Sequence, residues 1–171
     1  MKKTITSIFI SLLLVLTIMN LVFLVEIYKD ENLNKFFYKG EELPNEYTEK
    51  EKIHMQEVKD LVVKSLIAIL ALITFIIILK PDSKILETSG HLGLLFTGLF
   101  IFSAIFFQNF FHYFHLISFN STNWLLPIDS KLIQDYSFTY FRNMFILITG
   151  ILAISSTILI NNKKIKKLWT Q

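Results

Sequence analysis

Four apolar runs, each about as long as a bilayer is thick, decide what this chain can fold into. Crossing ~30 Å of hydrocarbon takes about 20 helical residues. Residues 4–25 and 92–111 carry no charge, 61–79 are broken only by Lys64, and 138–160 only by Arg142 near their start. Hydrophobic residues make up 53% of the chain and charged ones 18%, below the ~25% usual in soluble domains. The sequence therefore predicts an all-α integral membrane protein of four transmembrane helices, with residues 1–171 as a single membrane domain.

The first run begins behind Met1-Lys2-Lys3, which also opens a secretory signal peptide. Such a peptide has an apolar stretch of about 7–15 residues followed by a small-x-small cleavage site. Here the run is longer and ends Leu24-Val25-Glu26-Ile27-Tyr28, so an uncleaved anchor is expected. Orientation follows from lysine and arginine. Segments 1–3, 80–91 and 161–171 hold Lys2, Lys3, Lys80, Lys84, Lys163, Lys164, Lys166 and Lys167, whereas in 26–60 ten acidic residues face six lysines. Both termini are expected in the cytoplasm, with the basic tail against anionic lipid heads. Segments 26–60 and 112–137 then lie outside. They carry Phe36, Phe37, Tyr38 and Tyr47, and Tyr113, Phe114, Phe119, Trp124 and Tyr136, enough aromatic surface to pack as a small extracellular cap at headgroup depth.

With no cysteine in the sequence, a thiol nucleophile, thiolate metal sites and disulfide exchange are excluded. Phosphate-binding glycine loops and nucleophile elbows are absent as well. What remains is histidine. Thr48-Glu49-Lys50-Glu51 fits a capping box, from which a helix can run unbroken to Lys80, just before Pro81. That helix overshoots the hydrocarbon on the outer side. On the overhang, Glu51, His54, Val58 and Leu61 share a face, and Glu57 lies three residues from His54. At the outer end of the third run, His112 and His115 share a face if that segment is helical. Both clusters fall on one side at one depth, and an ionisable group at a membrane edge is a functional candidate by default. Arg142, opening the fourth run on that side, is placed to hold an anionic headgroup or an oxyanion, or simply to snorkel. His91, at the cytoplasmic start of the third run, reads as interfacial. From the residues alone the convergence supports a site, and its use stays open, a metal site from His54, Glu57, His112 and His115 and a docking surface for a membrane partner among the possibilities.

The pattern Tyr47-Thr48, Glu51, His54-Met55, Glu57-Val58-Lys59 resembles the string aromatic-Thr-x-x-Glu-x-x-His-Met-x-Asp-Val-Lys of the lipoprotein intramolecular transacylases of low-GC Gram-positive bacteria. Phe114-His115, Phe119, Trp124 and Leu132-Ile133 resemble a second string of that family. Glu57 stands where the family has aspartate, Ser137 near where it tends to carry proline, and segment 26–60 is short for the family. The resemblance implies an acyltransferase of the cell membrane with its site at the extracellular face. It would move the sn-2 acyl chain of a diacylglyceryl-cysteine to the same cysteine's α-amino group, leaving an N-acyl lyso-lipoprotein. His54 and His115 would be catalytic, with His54 favoured as base because Glu57 can orient it. Glu51, Glu57, Lys59 and Arg142 would support them, and Met55, His112, Phe114, Phe119 and Trp124 would line the substrate pocket. The expected partners are a diacylated lipoprotein and membrane lipid, with no nucleic acid, no metal and no cofactor.

Overall fold

The computed structural model describes residues 2–162. The lysines at 163, 164, 166 and 167, and the tail contact with lipid heads expected of them, lie outside the described residues. Among the described residues seven α-helices follow in order: α1 Lys2–Lys29, α2 Glu31–Asn34, α3 Glu49–Leu79, α4 Ser83–Ile105, α5 Phe107–Ser118, α6 Lys131–Asp135 and α7 Phe138–Ile160, with a π-helical turn Lys35–Lys39 between α2 and α3. Four of them, α1, α3, α4 and α7, are long and apolar enough to cross a membrane.

The bundle is held by close backbone approach as much as by side-chain volume. Ile18, Val22, Ile148 and Leu152 form its buried centre between α1 and α7. Helices α4 and α7 touch through small residues, as is usual where lipid removes the hydrophobic drive for association. A Cβ added at Gly90 would meet the backbone carbonyl oxygen of Ser156 at 2.6 Å and the backbone nitrogen of Ile160 at 2.9 Å, so that approach depends on glycine. Hydroxyl groups join α1 to its neighbours: Ser11 Oγ donates to the Ser89 carbonyl on α4 at 2.9 Å, and Ser65 Oγ on α3 donates to Asn20 Oδ1 at 2.7 Å.

The capping box at the start of α3 is complete. Thr48 Oγ1 accepts from Glu51 N at 3.3 Å, and Glu51 Oε2 accepts from Thr48 N at 2.7 Å. From there α3 runs 31 residues to Leu79, about 46 Å at 1.5 Å per residue, so its first turns stand clear of a ~30 Å hydrocarbon layer.

The third apolar run is not one helix. It breaks at Phe106 (φ −107°, ψ 39°), after 23 residues of α4. Those residues already cover about 35 Å, so the bilayer is crossed before the break. Helix α5 restarts with a Phe110 N to Phe106 O hydrogen bond of 3.1 Å. It is seated by Phe107, whose ring packs against Phe138 and Phe145 of α7. No proline or glycine marks the break, which is why hydropathy alone ran the segment on to residue 111.

Beyond the ends of the spans, segments 30–48 and 119–137 form a cap with its own small core. Ile27, Leu33, Phe36, Leu43, Tyr47, Met55 and Leu132 are buried together. Asp30 Oδ2 accepts from the Tyr136 hydroxyl at 2.7 Å, tying the first cap segment to the second.

Candidate active site

His54 sits in the extramembrane start of α3, and His115 near the end of α5. The cap brings them together. Their ring centroids are 6.0 Å apart with planes inclined by 35°, and each residue is only 8% exposed. Phe119, the residue that ends α5, presses on both: its ring lies 5.1 Å from His54 and 5.4 Å from His115. Trp124 covers His115 at 5.1 Å and Phe114 stands at its edge at 5.5 Å. The pair therefore occupies an aromatic, water-poor cage.

The two imidazoles are held differently. His115 Nδ1 is 2.7 Å from the carbonyl oxygen of Phe111. A carbonyl only accepts, so Nδ1 carries the proton and the neutral ring keeps its lone pair on Nε2. His54 Nδ1 lies 3.8 Å from Glu57 Oε2, within ion-pair reach but too long for a hydrogen bond. Both of those atoms are buried with no hydrogen-bond partner among the described residues. Burial lowers the pKa of His54 to about 4, and the neighbouring His115 pushes the same way against the opposing pull of Glu57. Burial also lowers His115, against the Phe111 carbonyl, which favours the charged ring. Both rings are thus neutral at neutral pH.

The remaining sequence-picked residues fall into other positions. Glu51 is completely buried, and its Oε1 accepts from the Leu132 backbone N–H at 2.8 Å. It ties the start of α3 to the start of α6, and the hydrogen bonds from Leu132 and Thr48 outweigh burial to keep its pKa low. Lys59 Nζ donates to the Phe36 carbonyl at 2.7 Å and lies over the Phe36 ring, fixing the π-helical turn against α3. Met55 belongs to the cap core. His112 is exposed and set edge-on to Trp124 at 5.4 Å, one side chain removed from the pair. Arg142 is exposed on α7, and His91 is exposed on α4. Among the described residues no three histidine, aspartate or glutamate side chains converge as a metal set. Phe111 went unselected in the sequence, although its place four residues before His115, one helical turn back, carries the signal for a ring-to-carbonyl bond.

An all-helical, four-span bundle with a buried histidine pair under an aromatic cap is the class of protein that the geometry defines. A family model for the lipoprotein intramolecular transacylase Lit matches residues 31–141, from the first cap segment to the start of α7. The chain belongs to that family. Its fold is similar to the solved structure of the membrane integral lipoprotein intramolecular transacylase Lit from Bacillus cereus, with a TM-score of 0.75, 16% identity, and coverage of 99% of this chain and 98% of that one. No curated protein matches this chain. The matched segment holds both histidines, Phe119 and Trp124, and ends one residue short of Arg142.

Proposed function

We propose that this protein transfers the sn-2 acyl chain of a lipoprotein's diacylglyceryl-cysteine to the α-amino group of the same cysteine, at the extracellular face of the cell membrane. The observation that carries the reading is the neutral histidine pair, 6.0 Å apart and caged by aromatic rings. Two rings this close can act on one ester carbonyl held at their edges, and the aromatic surround disfavours the water that would otherwise hydrolyse it.

How each ring is held supports a division of roles. His115 Nε2 is the acceptor left free by the Phe111 hydrogen bond, which favours His115 as general base over His54. The deprotonated amine nitrogen attacks the ester carbonyl carbon, and His115 takes the proton the nitrogen sheds. His54, a neutral N–H donor in a dry site, stabilises the carbonyl oxygen as it becomes an oxyanion. When the intermediate collapses, the carbon–oxygen bond to the glyceryl group breaks. The proton held by His115 passes to that oxygen, giving the lyso product and returning the ring to its neutral form. Because donor and acceptor are one molecule, positioning is the main task, and in favourable cases it supplies about 7–11 kcal/mol.

The test is expression in a host whose lipoproteins are diacylated, with mass spectrometry of N-terminal lipopeptides. N-acyl lyso forms are expected, and each of His54→Ala and His115→Ala is expected to abolish them while the protein stays in the membrane. Unchanged diacyl peptides alongside abundant folded protein would overturn the reading.

A further inference from the structure

One side of α5 is not used by the histidine pair. Gln108 and Asn109 are exposed there, and neither side chain bonds to another among the described residues. With Phe111, His112, Tyr113, Trp124 and Phe138 they line a cavity of about 380 Å³ that opens widely to the surface. The cavity shares two walls with the histidine cage, since the Phe111 and Trp124 rings lie 4.2 and 5.1 Å from that of His115.

Depth and charge restrict what fits. Helix α4 starts beside Asp82, which Lys3 holds at 3.3 Å at the basic end of the molecule. About 35 Å later the chain reaches the break at Phe106, so Gln108 and Asn109 stand at the opposite edge of the hydrocarbon. There the two adjacent carboxamides are exposed and keep their hydrogen-bonding groups free for a ligand. Each offers N–H donors and a carbonyl acceptor side by side. No lysine, arginine, aspartate or glutamate lines the cavity. A headgroup phosphate, which only accepts and carries charge, is poorly served by that lining. A peptide group, which donates and accepts and is neutral, is well served.

We propose that this cavity holds the peptide backbone of the one or two residues following the lipid-modified cysteine, with Gln108 and Asn109 pairing to its N–H and C=O groups. This rests on the transacylase reading and adds the part of the substrate that the histidines do not touch. Recognition through the backbone accepts any side chain, so one enzyme can serve lipoproteins whose sequences diverge after the cysteine.

The test uses the full-length protein in lipid nanodiscs with three synthetic substrates. The first is a diacylglyceryl-cysteine carrying four further residues. The second ends at the cysteine as its amide. The third has an ester in place of the first peptide bond after the cysteine, which removes one N–H without changing shape. Wild-type protein is expected to favour the first, with KM raised roughly three- to tenfold for each backbone hydrogen bond lost. The double variant Gln108→Leu, Asn109→Leu is expected to lose that preference through KM, with kcat retained. The single variants Q108M and N109A, expected at about threefold each, keep the test open if the double variant folds poorly. A double variant that still discriminates, or one slowed equally on all three substrates, overturns the subsite. Wild-type protein that converts all three equally overturns the subsite alone. If it converts none, the transacylase reading falls, and the subsite with it.

Discussion

Phe111 contributes to the histidine site through its backbone. Its carbonyl fixes the tautomer of His115 and so decides which nitrogen faces the cage, a role that does not depend on its ring. His115→Ala is therefore expected to lower kcat by about 10²–10⁴, the range for loss of a general base, as measured by lipopeptide turnover. Substitution of His54 should lower kcat with little change in KM, because an oxyanion donor acts in the transition state alone. The depressed pKa of His54 carries a pH consequence. An unfolded chain would take up a proton near pH 6.5, whereas the folded site resists it until about 4. Stability attached to this residue is present above pH 6.5 and is lost as pH falls towards 4. The thermal midpoint in detergent should drop over that window, and the drop should be shallower in His54→Gln. An equal drop in both proteins would remove His54 as its source. Both histidines were legible in the sequence from their positions at one edge of the membrane. Which of them has its tautomer fixed by a backbone carbonyl was not. Glu57 lies at helical spacing from His54, but spacing gives reach and not contact, and the two atoms stop at 3.8 Å.

At the scale of elements, Glu51 joins more of the cap than any other side chain in the overhang. One carboxylate caps α3 through the Thr48 N–H and hydroxyl and also takes the Leu132 N–H, which opens α6. Glu51→Ala leaves the buried Leu132 N–H unpaired and removes one half of the capping box, and is expected to cost roughly 1–3 kcal/mol, read as a fall in thermal midpoint. It should also lower activity without altering either histidine, since the link between the α3 start and the second cap segment is lost. Glu51→Gln, which keeps one acceptor oxygen, should fall between. If Glu51→Ala is as stable as the parent, the staple has no structural weight. The sequence exposed the capping box, because Thr48 and Glu51 are three residues apart and such bonds are local. It could not expose Leu132, since that contact closes over 81 residues. The break at Phe106 was hidden for a related reason. It depends on where Phe107 finds Phe138 and Phe145 on α7, and nothing in residues 92–111 records that partner. Ser137 shows the reverse case. It stands near where the family tends to carry proline, and its hydroxyl caps α7 by accepting from Tyr140 N at 3.3 Å.

The whole molecule is polarised along its spans. At one end Lys2, Lys3, Lys80 and Lys84 surround the α3–α4 turn; at the other, acidic and aromatic segments close over the histidines. The rule that lysine and arginine collect on the cytoplasmic side predicts that the cap faces outward. The sequence contains no cysteine, so a single introduced thiol reports its own position without background. Ile128, 89% exposed on the cap, and Ser83, exposed at the start of α4, mark the two ends. In intact cells a membrane-impermeant maleimide should label Ile128→Cys and leave Ser83→Cys untouched until the membrane is permeabilised. The opposite pattern would invert the topology and place the histidine pair in the cytoplasm. Labelling of both in intact cells would point to mixed insertion, which the lysine distribution argues against. Labelling of Ile128→Cys should also slow when a diacylated lipopeptide occupies the cap in a His115→Ala background, because a bound substrate would shield that edge without being consumed.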